Sequence, residues 1–264
     1  MQAKVHLITC HQDMANNIIK AVESCGLTVD QLIFAGLASS YAVLTEDERE
    51  LGVCFVDIGG GTMDITVYTA GALRHTRVIP YAGNLVTNDI AYAFGTLPID
   101  AEAIKVNYGC ALGSVINNNE SVEVPSIGGR PPRSLQRHTL AEVIEPRYTE
   151  LLNLVNEEIL QLQRQLRAQG VKHHLAAGIV LTGGAAQIDG LVDCAQQVFN
   201  HQVRIGQPLN ISGIPNYAQE PYYSTAIGLM HYGKDSLNGK LEIGKRTSVS
   251  KWFKRFSEWL RKEF

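Results

Sequence analysis

The spacing of apolar positions changes several times along the chain, and each change predicts a new element. Residues 4–10 (KVHLITC) alternate as a strand does, and from Asp13 the apolar positions Met14, Ile18, Ile19 and Val22 recur at helical spacing up to Cys25 and Gly26. A second strand is predicted over 28–34, a helix of small residues over 37–44 and a charged turn over 46–50, so the opening reads as a βαβα segment. Three β-rich stretches follow at 53–58, 64–69 and 73–80. They are separated by Gly59-Gly60-Gly61-Thr62 and Ala70-Gly71-Ala72, turns short enough for antiparallel hairpins. Helical patterning resumes at 84–94 and 101–109, before a stretch rich in Asn, Ser, Gly and Pro (113–133) that predicts a hairpin and loops in a smaller lobe.

The longest predicted helix covers 145–169, where Leu151, Leu152, Val155, Ile159, Leu162 and Leu166 form one stripe suited to packing on a core. Beyond it come a strand over 175–181, a Gly-Gly turn, a helix over 191–199, a short strand over 202–205 and a small-residue helix over 224–232. Residues 234–250 hold no sustained period and read as a linker. No internal repeat is found.

Composition sharpens this picture in three ways. A chain of 264 residues that is 45% apolar can bury a sizeable core, shared between two compact units. The five cysteines are odd in number and include no Cys-x-x-Cys pair, and the histidines lack metal-ligand spacing, so neither a disulfide framework nor a zinc site is suggested and a reducing cytosol is expected. No segment approaches the roughly 18 apolar residues of a membrane span, and residues 1–10 lack the apolar core of a signal peptide.

Charge is unevenly distributed. Residues 234–264 contain nine Lys or Arg against four Asp or Glu, whereas the rest contains 14 against 22. An acidic body argues against a nucleic-acid partner. From Val249 the sequence VSKWFKRFSEWLRKEF places Trp252, Phe253, Phe256, Trp259 and Leu260 at helical intervals, with Lys251, Lys254 and Arg255 on other faces. A helix of this kind packs either on a protein core or on an anionic membrane surface; two tryptophans, three phenylalanines and the preceding linker favour the membrane. Binding by one such helix is reversible, which makes avidity from a polymer useful.

The stretch VCFVDIGGGTMDITV (53–67) carries the candidate chemistry. A buried strand delivers Asp57 into Gly59, Gly60, Gly61 and Thr62, and Asp64 opens the next strand. Glycines let successive N–H groups approach an anion, Thr62 adds a hydroxyl, and Asp57 can hold Mg2+ through its waters against phosphates. A bare three-glycine turn is otherwise an ordinary hairpin.

This turn resembles the second phosphate-binding loop of actin, Hsp70 chaperones and sugar kinases. Further elements follow in the order that superfamily requires. Residues 36–44 resemble its first connecting helix, and 224–228 its closing helix. Glu102 and Lys105 resemble the pair that contacts adenine and ribose, and Gly183, Gly184 and Gln187 fall in a stretch (LTGGAAQI) that resembles its adenosine loop. Within the superfamily the chain resembles the bacterial cell-division FtsA family almost throughout, including the strings GGGTMDI, YAGN (with Gly83 and Asn84), AEAIK, GGRPPRSLQRHTLAEVIEPRY and PYYSTAIG.

The resemblance implies an α/β, actin-like (ribonuclease H-like) second lobe with an inserted smaller subdomain, an incomplete first lobe and a C-terminal amphipathic helix. The implied divisions are 1–50, a remnant of the first lobe with its connecting helix; 51–98 with 172–233, the nucleotide-binding subdomain; 99–171, the smaller subdomain; 234–248, a linker; and 249–264, the membrane helix. It further implies an ATP-binding scaffold, not an enzyme, that polymerises on the cytoplasmic face of the inner membrane at the division site. Its partners would be itself, the tubulin-like FtsZ and later division proteins. Arg130, Arg133 and Arg137 would receive the acidic FtsZ C-terminal peptide, although three arginines in a loop are otherwise a solvated patch. No Asp-x-Gly-Thr-type hairpin precedes Val53, so half the phosphate clamp is expected to be missing, and the sequence leaves open whether this chain alone binds ATP or turns it over. A kinase of the same superfamily and an actin-like pilus-assembly adaptor are the competing readings; lipid co-sedimentation with and without 249–264 separates them from the leading one.

Overall fold

A computed structural model describes residues 6–117, 120–168, 174–213 and 216–238. The chain divides into two units, Met1–Leu229 and Met230–Phe264. The first unit opens with helices α1 (Gln12–Glu23), α2 (Ala35–Val43) and α3 (Glu46–Leu51). Strands β1 (Val53–Ile58), β2 (Met63–Thr69) and β3 (Ala72–Ile79) follow, then helices α4 (Gly83–Phe94) and α5 (Pro98–Tyr108). A two-stranded hairpin, β4 (Ser121–Val124) with β5 (Arg133–Gln136), leads into α6 (Arg137–Ala168). The chain closes with β6 (Ile179–Thr182), α7 (Leu191–Phe199), β7 (Val203–Ile205) and α8 (Ser224–Leu237), whose last turns belong to the second unit.

The main sheet has the order β3-β2-β1-β6-β7. β1, β2 and β3 form an antiparallel meander because their turns are short, whereas β6 runs parallel to β1 because its return requires the long excursion through α4, α5 and α6. The two-residue period of β1 sorts its side chains onto opposite faces. Cys54, Val56 and Ile58 join Met63, Ile65 and Val67 in the larger core, against α4, α6 and α7. Val53 and Phe55 join Tyr68, Val180, Val43 and Ile227 on the other face, which α2 covers. Asp57 and Asp64 belong to that second face by alternation, so two carboxylates are carried beneath α2.

The meander and the 191–199 helix lie where the sequence predicts them, but several elements differ. Residues 6–10 and 28–34 form no strand, and residues 4 and 5 lie outside the described residues. Alternation supplies a strand with a face but not with a neighbour, and among the described residues no sheet strand pairs with either segment. The expected charged turn at 46–50 is helix α3: the Thr45 hydroxyl accepts from the Glu48 N–H while Glu48 reaches back to the Thr45 N–H, and Gly52 at φ +99° ends it. Helix α6 starts at Arg137, eight residues before the expected start, and runs through Pro146. A proline reads as a first-turn residue by sequence rules, yet packing of Leu140, Ala141 and Ile144 carries the helix past it. The 175–181 strand begins only at Ile179, after Gly178 turns the chain at φ +75°. Helix α8 continues to Leu237, so the first residues of the expected linker are helical. The rest of that linker from residue 239 and the amphipathic stretch 249–264 lie outside the described residues. Among the described residues no helix is long and apolar enough to cross a membrane.

Candidate functional site

The hairpin between β1 and β2 pairs Asp57 with Asp64 directly across the strands. Burial pushes the Asp57 carboxyl above its ordinary value, and the neighbouring hydroxyls of Ser39 of α2 and Thr225 of α8, the latter donating at 3.2 Å, hold back part of the rise. Burial, with the Asp57 charge added, pushes Asp64 up to about 6. Among the described residues neither carboxylate has a basic group within ion-pair distance. Two adjacent carboxylates raised in this way are relieved by a divalent cation. No group of three or more His, Cys, Asp or Glu suited to a metal occurs among the described residues. A pair of carboxylates fits Mg2+, which keeps water and phosphate oxygens as its other ligands.

Asp64 joins Asp57 as a candidate ligand, and the sequence holds its signal: a four-residue turn after Ile58 brings positions 57 and 64 face to face. Its titration carries a prediction. Because Asp64 binds its proton more tightly folded than unfolded, its contribution to stability without magnesium is fully present below the unfolded value near 4 and is lost as pH rises through about 6. Urea midpoints of the chain at pH 5 and pH 7.5 should therefore differ, and Asp64→Asn should narrow the difference; an unchanged difference would mean that Asp64 ionises freely.

Four segments distant in sequence meet at Gly83. Its N–H donates to the Gly59 carbonyl at 3.1 Å, and the Asn84 N–H donates to the Gly60 carbonyl at 2.7 Å. A Cβ on Gly83 would lie 2.9 Å from the Ala185 methyl and 3.5 Å from Lys105 Nζ, so only glycine lets these groups close together. Lys105 is 7% exposed and donates to the Gly83 carbonyl (3.1 Å), Thr87 Oγ1 (2.8 Å) and Glu102 Oε2 (2.7 Å). Burial works to raise the Glu102 carboxyl, but hydrogen bonds from Lys105 and Thr87 and the lysine charge outweigh it and hold Glu102 below its ordinary value. The ion pair thus anchors the half-exposed Glu102 carboxylate at the start of α4.

Gly183 ends β6 at φ +93°, packed against the Asp57 carboxylate and the Ile58 carbonyl, which leaves no room for a side chain. The following turn, Gly184–Gln187, is propped from beneath by Tyr148 of α6, whose hydroxyl donates to the Ala185 carbonyl at 2.8 Å. Gln187 at its end donates to Glu220 at 2.7 Å. The structure therefore gathers Asp57, Gly59, Gly60, Gly83, Asn84, Glu102, Lys105, Gly183 and Gly184, with Gly61 and Thr62 at the exposed tip of the hairpin. Ser39, Thr87 and Thr225 are added to them; a lone hydroxyl in a helix carries no sequence signal.

The three arginines expected to act together do not share one site. Arg130 and Arg133 line a cavity of about 560 Å³ with Tyr92, Phe94, Ile127 and Pro131, and Arg133 donates to the Phe94 carbonyl. Arg137 lies elsewhere, 16% exposed and held by Glu120 at 2.7 Å and Asp189. It ties the start of α6 to the loop before α7.

The family described as cell division protein FtsA matches residues 54–228. Cell division protein FtsA of Escherichia coli (strain K12) is 80% identical over 267 aligned positions, which cover 100% of this chain and 64% of that protein. The chain thus spans about 64% of the length of this relative. Among solved structures, MreB5 of Spiroplasma citri bound to ADP superposes with a TM-score of 0.64 at 16% identity, covering 87% of this chain and 68% of that one. The PilM-PilN type IV pilus biogenesis complex gives 0.62 at 17%, covering 84% and 58%. At such identities the likeness is one of fold, and the fold is the actin-like α/β one. Because the family match extends over more than half of the chain, the chain belongs to the FtsA family of cell division proteins.

Proposed function

We propose that this chain is the nucleotide-binding part of an ATP-dependent, actin-like scaffold of bacterial division. On this reading the protein binds ATP with Mg2+, polymerises on the cytoplasmic face of the inner membrane, holds FtsZ there and recruits later division proteins. It acts by binding, and no catalytic residue is assigned. The observation that carries the reading is the meeting at Gly83 of the glycine hairpin, Ala185 of the Gly184–Gln187 turn and the Glu102–Lys105 pair, with the Asp57–Asp64 carboxylates on the same hairpin. Backbone N–H groups suit phosphates, the Glu102 carboxylate held by Lys105 suits a ribose, and the Asp57–Asp64 carboxylates suit the accompanying cation. Residues 51–98 with 172–233 would form the nucleotide-binding subdomain and 99–171 the smaller one, with 249–264 as the reversible membrane anchor.

The direct test is calorimetric titration of ATP into two proteins, this chain and E. coli FtsA carrying this chain in place of the matching segment. Magnesium-dependent binding by either supports the reading; no heat from either removes it.

FtsZ capture is assigned to the cavity beside β5. Arg130 and Arg133 supply charge for a carboxylate, and Phe94, Ile127 and Pro131 supply apolar surface for the rest of an acidic peptide. Arg130→Glu is expected to weaken binding of the FtsZ C-terminal peptide about tenfold or more, as replacing one charge-assisted hydrogen bond with repulsion warrants. Arg137→Ala should leave peptide affinity unchanged and lower the thermal midpoint, because its partners are Glu120 and Asp189. Fluorescence anisotropy of a labelled peptide reads the first effect and thermal unfolding the second; equal loss of affinity in both variants would place the peptide elsewhere.

A further inference from the structure

The hydroxyl of Tyr148 reaches the nucleotide site from the core side. Tyr148 lies on the inner face of α6, one turn before Leu151 and Leu152, and is 1% exposed. Its ring is core packing, and a phenylalanine would fill the same space. The hydroxyl adds one bond to that packing, donated to the Ala185 carbonyl at 2.8 Å. Burial, with the Glu102 charge added, pushes the phenol well above its ordinary value, so the group stays a protonated donor throughout the range around neutrality.

The turn that receives this bond is short and held at both ends. Gly183 fixes its start against Asp57 and Ile58, the Ala186 N–H donates back to the Gly183 carbonyl at 3.2 Å, and the Gln187 side chain fastens its end to Glu220 at 2.7 Å. Ala185, between these points, directs its methyl at Gly83, beside Lys105 and the carboxylate that Lys105 holds. A buried tyrosine bonded to a carbonyl ordinarily does no more than satisfy it. Here the carbonyl belongs to the residue that sets the distance between the turn and the Glu102–Lys105 pair. Resting on the nucleotide reading above, we infer that Tyr148 is a positioning residue for the nucleoside: its hydroxyl fixes Ala185, and with it the gap between the Gly184–Gln187 turn and the Glu102 carboxylate. Without that bond the Ala185 carbonyl must find another donor, and the turn shifts to reach one. The phosphate end keeps its own bonds, from the Gly83 and Asn84 N–H groups to the Gly59 and Gly60 carbonyls. Tyr148 therefore acts on affinity for the nucleoside and not on affinity for the phosphate chain.

The experiment compares this chain, set in the full-length E. coli framework, with its Tyr148→Phe variant, which keeps the ring and with it the packing. Calorimetry measures binding of Mg-ATP and of magnesium tripolyphosphate, which has no nucleoside, and amide hydrogen exchange follows residues 183–187. The variant is expected to bind ATP about fivefold more weakly, as loss of one hydrogen bond warrants, and to bind tripolyphosphate as the parent does. Exchange across 183–187 should be faster in the nucleotide-free variant than in the nucleotide-free parent. If Tyr148→Phe lowers the thermal midpoint while ATP binds as before, the hydroxyl serves the fold alone; the inference fails and the nucleotide site stands. If ATP and tripolyphosphate weaken alike, the whole site is loosened and Tyr148 does not position the nucleoside. If ATP affinity falls with exchange across 183–187 unchanged, the loss does not pass through the turn and the inference again fails. If the parent binds no nucleotide, the inference falls together with the reading it rests on.

Discussion

Asp57→Ala is expected to lower Mg-ATP affinity at least a hundredfold while changing folding stability by no more than about 1 kcal/mol. The two halves of this expectation have different causes. The buried carboxylate faces Asp64 across the hairpin and, among the described residues, no basic group within ion-pair distance, so its charge is uncompensated until a cation arrives. On the proposed reading, removing it deletes a magnesium anchor and with it the charge that the phosphates need close by. The apo fold, however, is relieved of a buried charge and of its repulsion with Asp64. Against this relief stands the hydrogen bond from Thr225, whose loss costs about 1 kcal/mol. Calorimetry of ATP with magnesium, paired with urea unfolding of the same samples, separates the effects. Retained affinity would show that Asp57 does not hold the metal; a large loss of stability would show that its hydroxyl partners matter more to the fold than its charge does to binding.

What can be read from the sequence follows a physical division. The 53–69 hairpin is legible because its strands are nearly uninterrupted apolar runs and its turn has a single feasible closure. The glycines of the site are legible as residue types, and the fold explains three of them by what a Cβ would strike: Ala185 at Gly83, Asn84 at Gly60 and the Asp57 carboxylate at Gly183. Asp64 becomes a candidate ligand only when pairing across the turn is considered, since the register, not the glycine string, sets it opposite Asp57. Arg137 illustrates the opposite failing. Proximity in sequence to Arg130 and Arg133 suggests one patch, but β5 intervenes, and Glu120 and Asp189 claim its guanidinium. Tyr148 meets Ala185 across 37 positions of chain, a contact that no local pattern encodes. The strands expected at 4–10 and 28–34 show that alternation is necessary for a strand but does not provide the ladder that makes one.

The second large effect concerns Gly228, where α8 crosses α2. A Cβ built there falls deep inside the van der Waals radius of the Ala38 carbonyl, which is backbone and cannot swing aside, and Ala38 is fully buried. The two helices can touch only because α2 offers Gly36, Ala38, Ser39 and Ser40 and α8 offers Gly228. Gly228→Val is expected to lower stability by about 3 kcal/mol or more, at the upper end of overpacking costs. The same two helices bring Ser39 and Thr225 to Asp57, so forcing them apart should also weaken Mg-ATP binding, in contrast to a purely structural lesion remote from the site. Gly233 provides the control within the same helix. Nothing among the described residues lies within 4 Å of a Cβ placed there, so Gly233→Ala should be neutral or stabilising by up to about 1 kcal/mol through helix propensity alone. Urea midpoints of the two variants measure the difference. If Gly228→Val costs no more than Gly233→Ala, then α2 and α8 are not in backbone contact, and the hydroxyl support of Asp57 must have another origin.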